Sequence, residues 1–215
     1  LKFARRALLA FLLAVASYLA IAAAWAWVAF PSAARGLPQA GLMPLSPRQV
    51  EILLKIEDPG FFNHRGLSAW SGQGLATITS SLARSVYLGD TRLDGATGAF
   101  QRFYRGVFDC CKKIDIGRDV MALVLDHKLD KQRQLAAYAA LVYLGTQEGK
   151  QVHGFEDAAI SYYGKALDLL TEPEFVGLVA MIKAPNLYHP VNNPTRFVQR
   201  LVQVNAQLRN DDVIK

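Results

Sequence analysis

Between Ala7 and Phe30 the chain carries no charged residue. A helix of that length reaches roughly 35 Å, enough to cross a bilayer core of about 30 Å. Trp25 and Trp27 stand near its far end, where aromatic rings settle at a membrane surface, and Lys2, Arg5 and Arg6 precede it. The basic flank places the N-terminus in the cytoplasm and everything after Phe30 outside. A cleaved signal peptide is the alternative, with Ser32-Ala33-Ala34 as a cleavable site. The apolar core of such a peptide is only about 7–15 residues, so an uncleaved anchor is expected. The organisation expected is an anchor over 1–30, a linker over 31–45 rich in Pro, Gly and Ala, and one domain over 46–215.

The net charge of +6 suits anionic lipid head groups or phosphates beside a bilayer. A nucleic-acid partner does not fit the far side of a membrane. Cys110 and Cys111 are adjacent, which suits neither a disulfide nor a metal site.

Helix signals dominate the remainder. Ser46-Pro47-Arg48-Gln49 is a capping box with Pro at the first helical position, and Pro59-Gly60 should stop that helix. Helices are also expected over 77–86, 120–129, 135–144 and 155–163, the last closed by Gly164. Gly72 to Gly74 mark a break, and 88–98 is polar and glycine-containing, hence a loop. Thr171-Glu172-Pro173-Glu174 opens a helix that should end before Pro185. Asn193-Pro194 starts the last one, with Phe197, Leu201, Val204 and Leu208 on one face. No strand alternation stands out. The class expected is mainly α.

Stepping about 100° per residue from Val50 puts Leu53, Leu54 and Glu57 on one side of the first of these helices. Arg48, Glu51 and Lys55 cluster opposite. Glu57 therefore sits within an apolar arc in the last helical turn. Desolvation and the negative end of the helix dipole both raise the pKa of a carboxylate so placed. Such a group suits general acid–base work near neutral pH, and it equally suits a structural hydrogen bond to the following loop.

The decapeptide Glu57-Asp58-Pro59-Gly60-Phe61-Phe62-Asn63-His64-Arg65-Gly66 resembles the first motif of the peptidoglycan glycosyltransferases, glycosyltransferase family 51. That motif reads E-D-x-x-F-x-x-H-x-G. Four later stretches follow in family order: Gly74 to Ser81, Lys131 to Gly145, Gly154 to Lys165, and Lys183-Ala184-Pro185 with Tyr188-His189-Pro190 and Asn193-Pro194. The resemblance implies a lysozyme-like helical domain with a small membrane-proximal jaw. It also implies an inverting transfer from lipid II, a disaccharide-peptide on a polyprenyl pyrophosphate, onto the 4-hydroxyl of an acceptor sugar.

Carried over residue by residue, Glu57 becomes the base that activates the acceptor. Asp58, Phe61, His64, Thr77, Thr79, Arg84, Arg118 and Lys183 become candidate substrate-binding residues, with Arg84 and Lys183 facing the pyrophosphate. Departures cluster on the donor side. Ala76, Ser80, Ser81, Ser85, Ala136 and Ala140 replace polar family residues. No clean copy of R-K-x-x-E, which carries the family's second catalytic Glu, is present. Counting back from Met121 puts Arg118 at that position, with Asp119 one step away as the candidate acid and Asp109 as a looser one. The resemblance implies no certain cofactor and admits a divalent cation at the pyrophosphate. Its implied partners are lipid II, the growing glycan strand, membrane lipid, and transpeptidases or other cell-wall synthesis proteins. The expected activity is monofunctional glycan polymerisation at a bacterial inner membrane. The alternatives are a catalytically impaired relative that binds lipid-linked precursor or synthesis partners, and a muramidase.

Overall fold

The computed structural model describes residues 2–38, 43–68, 77–108 and 115–210. The Gly72–Gly74 break, Ala76, Asp109 and the two cysteines lie outside them. The protein is mainly helical, as expected. Among the described residues the order is α1 (Lys2–Ala33), α2 (Pro47–Glu57), α3 (Ile78–Leu88), α4 (Gly95–Phe108), α5 (Ile116–Lys128), α6 (Lys131–Leu141), β1 (Tyr143–Gln147), β2 (Lys150–His153), α7 (Phe155–Tyr163), α8 (Glu172–Ile182) and α9 (Pro194–Asn210).

Helix α1 is long and apolar enough to cross a membrane. Leu8, Leu9, Phe11, Leu12 and Leu13 are each more than half exposed. A continuous apolar surface of that kind has lipid as its natural solvent. The helix runs past Phe30 to Ala33 with Pro31 inside it. Its second half is no free tether. Trp25, Ala26, Ala29 and Ala33 are buried in the same core as the domain. Small residues let α1 approach α5 and α3 closely, while Trp25 donates its indole N–H to the Thr97 carbonyl at 2.9 Å. Lys128 stacks on the Trp27 ring at 3.3 Å, a cation–π contact near the expected outer membrane surface.

Around this contact α3, α5 and α6 form the centre, and α8 and α9 close it. Leu53, Leu82, Leu125 and Leu135 are essentially inaccessible. Burying each contributes about 1.5–3 kcal/mol relative to leaving it in water. Capping boxes at Ser46, Thr77 and Thr171 fix the starts of α2, α3 and α8, and left-handed Gly164 ends α7.

Two expectations need correction. The apolar run to Leu144 leaves the helix at Leu141 and becomes an antiparallel hairpin, with Tyr143 opposite His153 and Gln147 opposite Lys150. Glu148 (φ 51°) and Gly149 (φ 78°) form its turn, and both adopt the left-handed backbone that a two-residue hairpin loop needs. The segment read as a loop over 88–98 is helical from Gly95 onward. Helix α4 holds that end through Gln101, whose amide donates to the Tyr87 and Thr91 carbonyls and accepts from Leu93 N–H. Of the aromatic residues on α4, Tyr104 is buried, Phe100 and Phe108 pack on the core, and Phe103 is 63% exposed.

Candidate functional site

Helix α2 ends at Glu57, and the chain turns through residues 58–66 to meet the start of α3. Asp58 locks that turn. Its carboxylate is 2% exposed and accepts from His64 Nε2 at 3.0 Å and from Ile78 N–H at 3.0 Å. His64 Nδ1 accepts from Gly66 N–H at 3.1 Å, so the ring proton sits on Nε2 and points at Asp58. Gly66 has φ +91°, and a Cβ there would meet the Ala122 carbonyl oxygen at 2.8 Å. The Gly66 carbonyl in turn accepts from Thr77 Oγ1 at 2.6 Å. Thr77 caps α3 in a reciprocal box with Ser80.

A second buried chain runs behind this turn. Thr79 donates to Gln134 Oε1 at 2.7 Å, and Gln134 donates to Asp126 at 3.0 Å and to the Leu129 carbonyl at 2.7 Å. Asp126 pairs with Lys131 at 2.7 Å, and the Lys131 ammonium sits 4.6 Å from the centre of the buried Phe61 ring. Asp58, Phe61, His64 and Thr79 thus lie in the framework beneath the site.

Five of the expected site residues meet in one cavity of about 590 Å³. Glu57, Thr77, Arg84, Arg118 and Lys183 line it, and Arg200 from α9 joins them. Glu57 is half-buried, and among the described residues its carboxylate has no hydrogen-bond partner. Burial pushes its pKa up to about 7; Arg200 and Lys183 pull it down, and the neighbouring Asp58 charge pushes it further up. Buried Tyr138 stands in the same wall, its hydroxyl held protonated by desolvation and by the two carboxylates. Among the described residues lining the cavity, Glu57 is the sole carboxylate.

The cations are placed for an anion. Arg84 and Lys183 are exposed at the mouth. Arg118 is largely covered and pairs through one terminal nitrogen with Asp119 at 3.1 Å. Asp119 is 6% exposed, stands behind Arg118, and is not part of the cavity lining. The Nε atoms of Arg118 and Arg200 are buried with no protein partner among the described residues. Buried guanidinium donors left open beside a cavity are ready for phosphate or carboxylate oxygens. An adjoining cavity of about 420 Å³ shares Arg84 and Arg118 and adds Arg105 and His153.

Arg200 escaped the sequence reading, although a signal was present. It lies four residues before buried Val204 and three after Phe197, on the face read as apolar. A cation on a buried helix face carries the same message as Glu57 on its own.

The family model described as Transglycosylase matches residues 35–209. The chain is 30% identical over 165 residues to penicillin-binding protein 1B of Buchnera aphidicola, covering 70% of this chain and 20% of that one. The protein of the same name from Haemophilus influenzae is 31% identical over 155 residues, covering 70% and 19%. That from Vibrio cholerae is 31% identical over 180 residues, covering 77% and 20%. The chain therefore spans about a fifth of the length of these curated relatives. With the family match extending over most of the chain and both walls of the cavity inside it, the chain belongs to the transglycosylase family, the peptidoglycan glycosyltransferases.

Proposed function

We propose that the chain polymerises lipid II into peptidoglycan glycan strands by an inverting glycosyl transfer. One observation carries this: among the described residues a single half-buried carboxylate without a hydrogen-bond partner faces four cations across one cavity, beside a helix suited to a membrane. In its ionised form Glu57 takes the proton of the acceptor's 4-hydroxyl. The resulting oxygen attacks C1 of the donor sugar, and the bond from C1 to the pyrophosphate oxygen breaks with its electron pair on the leaving group. Arg84, Arg118, Lys183 and Arg200 stabilise the charge that grows there. Asp119 holds Arg118 in place, and Thr77 shapes the wall. Asp58, Phe61, His64 and Thr79 support the turn on which Glu57 stands.

The described residues of the cavity wall do not by themselves make a site for a divalent cation. No group of three or more His, Cys, Asp or Glu able to hold one occurs among the described residues, and the cavity wall is cationic. A cation accompanying the substrate would be held by the substrate's own oxygens. The basic flank of α1 supports a cytoplasmic N-terminus with the domain outside, at the anchor and domain division expected from the sequence. Transpeptidases and other synthesis proteins are the partners to seek there.

The test is glycan-strand formation from lipid II by the purified chain in detergent. Precursor binding without polymer would overturn the proposal and leave a binding relative, while muropeptides released from intact peptidoglycan would point to a hydrolase. Arg200→Gln gives a finer check. Losing that cation raises the Glu57 pKa, so the acid limb of kcat/KM moves up by about 0.5–1 pH unit, and Arg200→Lys largely restores it. An unmoved limb would remove Arg200 from the surroundings of the base.

A further inference from the structure

The membrane helix reaches the cationic wall through a chain of hydroxyls. Tyr18 of α1 donates to the Tyr104 hydroxyl on α4 at 3.3 Å. The Tyr104 hydroxyl donates to the Asp115 carboxylate. Asp115 caps α5, and the same carboxylate oxygen accepts from Arg118 N–H at 2.9 Å. Arg118 then projects into both cavities. The fit is tight, because a Cβ at Gly117 would overlap the Tyr18 and Tyr104 hydroxyls. The rings reinforce the contact, with Phe108 at 5.6 Å from Tyr18 and 4.6 Å from Tyr104.

We propose that Tyr18 is a positioning residue for Arg118, so that the membrane helix sets the geometry of the pyrophosphate-binding wall as well as holding the domain at the bilayer. The proposal rests on the pyrophosphate role given to that wall above. The physical reason lies in the packing. Tyr18 is half-buried against Phe108, Tyr104 and Gly117, which partly shield its hydroxyl from water and strengthen its bond to Tyr104. Tyr104, desolvated and bonded to Asp115, keeps its proton and remains a donor. The first turn of α5 is thereby fixed from the membrane side by Asp115, and Arg118 is the side chain that this turn presents to the cavities. Tyr18 itself lines neither cavity, so it reaches Arg118 through its contacts with Tyr104 and Phe108 and through Asp115.

The experiment uses the chain in lipid nanodiscs with two readouts. One is amide hydrogen exchange over residues 116–119. The other is binding of farnesyl pyrophosphate, a soluble carrier of the prenyl pyrophosphate group. Tyr18→Phe and Tyr104→Phe should each speed exchange in that turn and weaken binding by about three- to tenfold, and the double variant should be no weaker than Tyr104→Phe alone. In an Arg118→Gln background, Tyr18→Phe should have no further effect on binding. Unchanged exchange in Tyr18→Phe overturns the proposal. So does unchanged binding where Arg118→Gln weakens it, or an equal loss with Arg118 already absent. If the parent protein binds no pyrophosphate probe and Arg118→Gln changes nothing, the pyrophosphate reading of the wall falls. Both halves of the proposal then separate, and exchange alone decides whether Tyr18 positions the turn.

Discussion

Glu57→Gln should abolish polymerisation and at the same time make the protein more stable above pH 7. A positioned general base contributes typically about 10²–10⁴ in rate, and glutamine keeps the shape of the side chain while accepting no proton. The stability effect follows from the direction of the pKa shift. Burial raises the Glu57 carboxyl to about 7 from an ordinary 4.5. The folded state therefore favours the protonated form. The stability tied to that proton is fully present below about 4.5 and is lost as pH rises through about 7. At pH 8 the wild type carries a desolvated charge that the amide does not. The gain in the variant is about 1–3 kcal/mol at pH 8, after discounting for the part of Glu57 that reaches solvent, and is much smaller at pH 5. Lipid II turnover and thermal unfolding at the two pH values measure both. Retained turnover would remove Glu57 as the base. Equal stabilisation at both values would mean that its carboxyl is not raised.

The trade has a local origin, and that is why it could be read from sequence. The capping box at Ser46, the Pro59-Gly60 stop and the apolar arc of α2 are all written within a dozen residues, so the position of Glu57 followed from short-range rules. The same holds for the box at Thr171 and for Gly164 after α7. Features set by distant partners were not legible. The hairpin after Leu141 replaces a helix because Val142, Leu144 and Val152 are buried across β1 and β2, and its turn uses Glu148 where Asn or Asp is the usual signal. Helix α4 begins in a stretch whose composition reads as loop, and its start is held by α1 through Trp25. Asp119 was placed by counting along a motif. Counting cannot show that its carboxylate turns toward Arg118, behind the cavity wall. Arg200 needed the fold of α9 against α2 before it met Glu57.

Asp58→Ala should unfold the protein more readily by about 2–5 kcal/mol, the opposite sign to its neighbour. Alanine leaves two buried donors unpaired, His64 Nε2–H and Ile78 N–H, and each such loss costs about 1–3 kcal/mol. Asparagine should cost less, because its carbonyl oxygen still accepts from Ile78. That same oxygen lies 3.0 Å from His64 Nε2, so the ring keeps an acceptor and its tautomer, while the amide N–H group now sits against the same ring proton. Both variants also remove a negative charge beside Glu57, which favours the ionised base. The acid limb of the residual activity should therefore move to lower pH in Asp58→Asn, while urea unfolding shows the stability loss. A variant that lost activity with stability intact would place Asp58 against substrate instead of in the framework. Two adjacent carboxylates thus part company on one physical ground. Asp58 is buried with donors and holds the turn, whereas Glu57 is half-buried without them, at a cost in stability that leaves it free to take a proton.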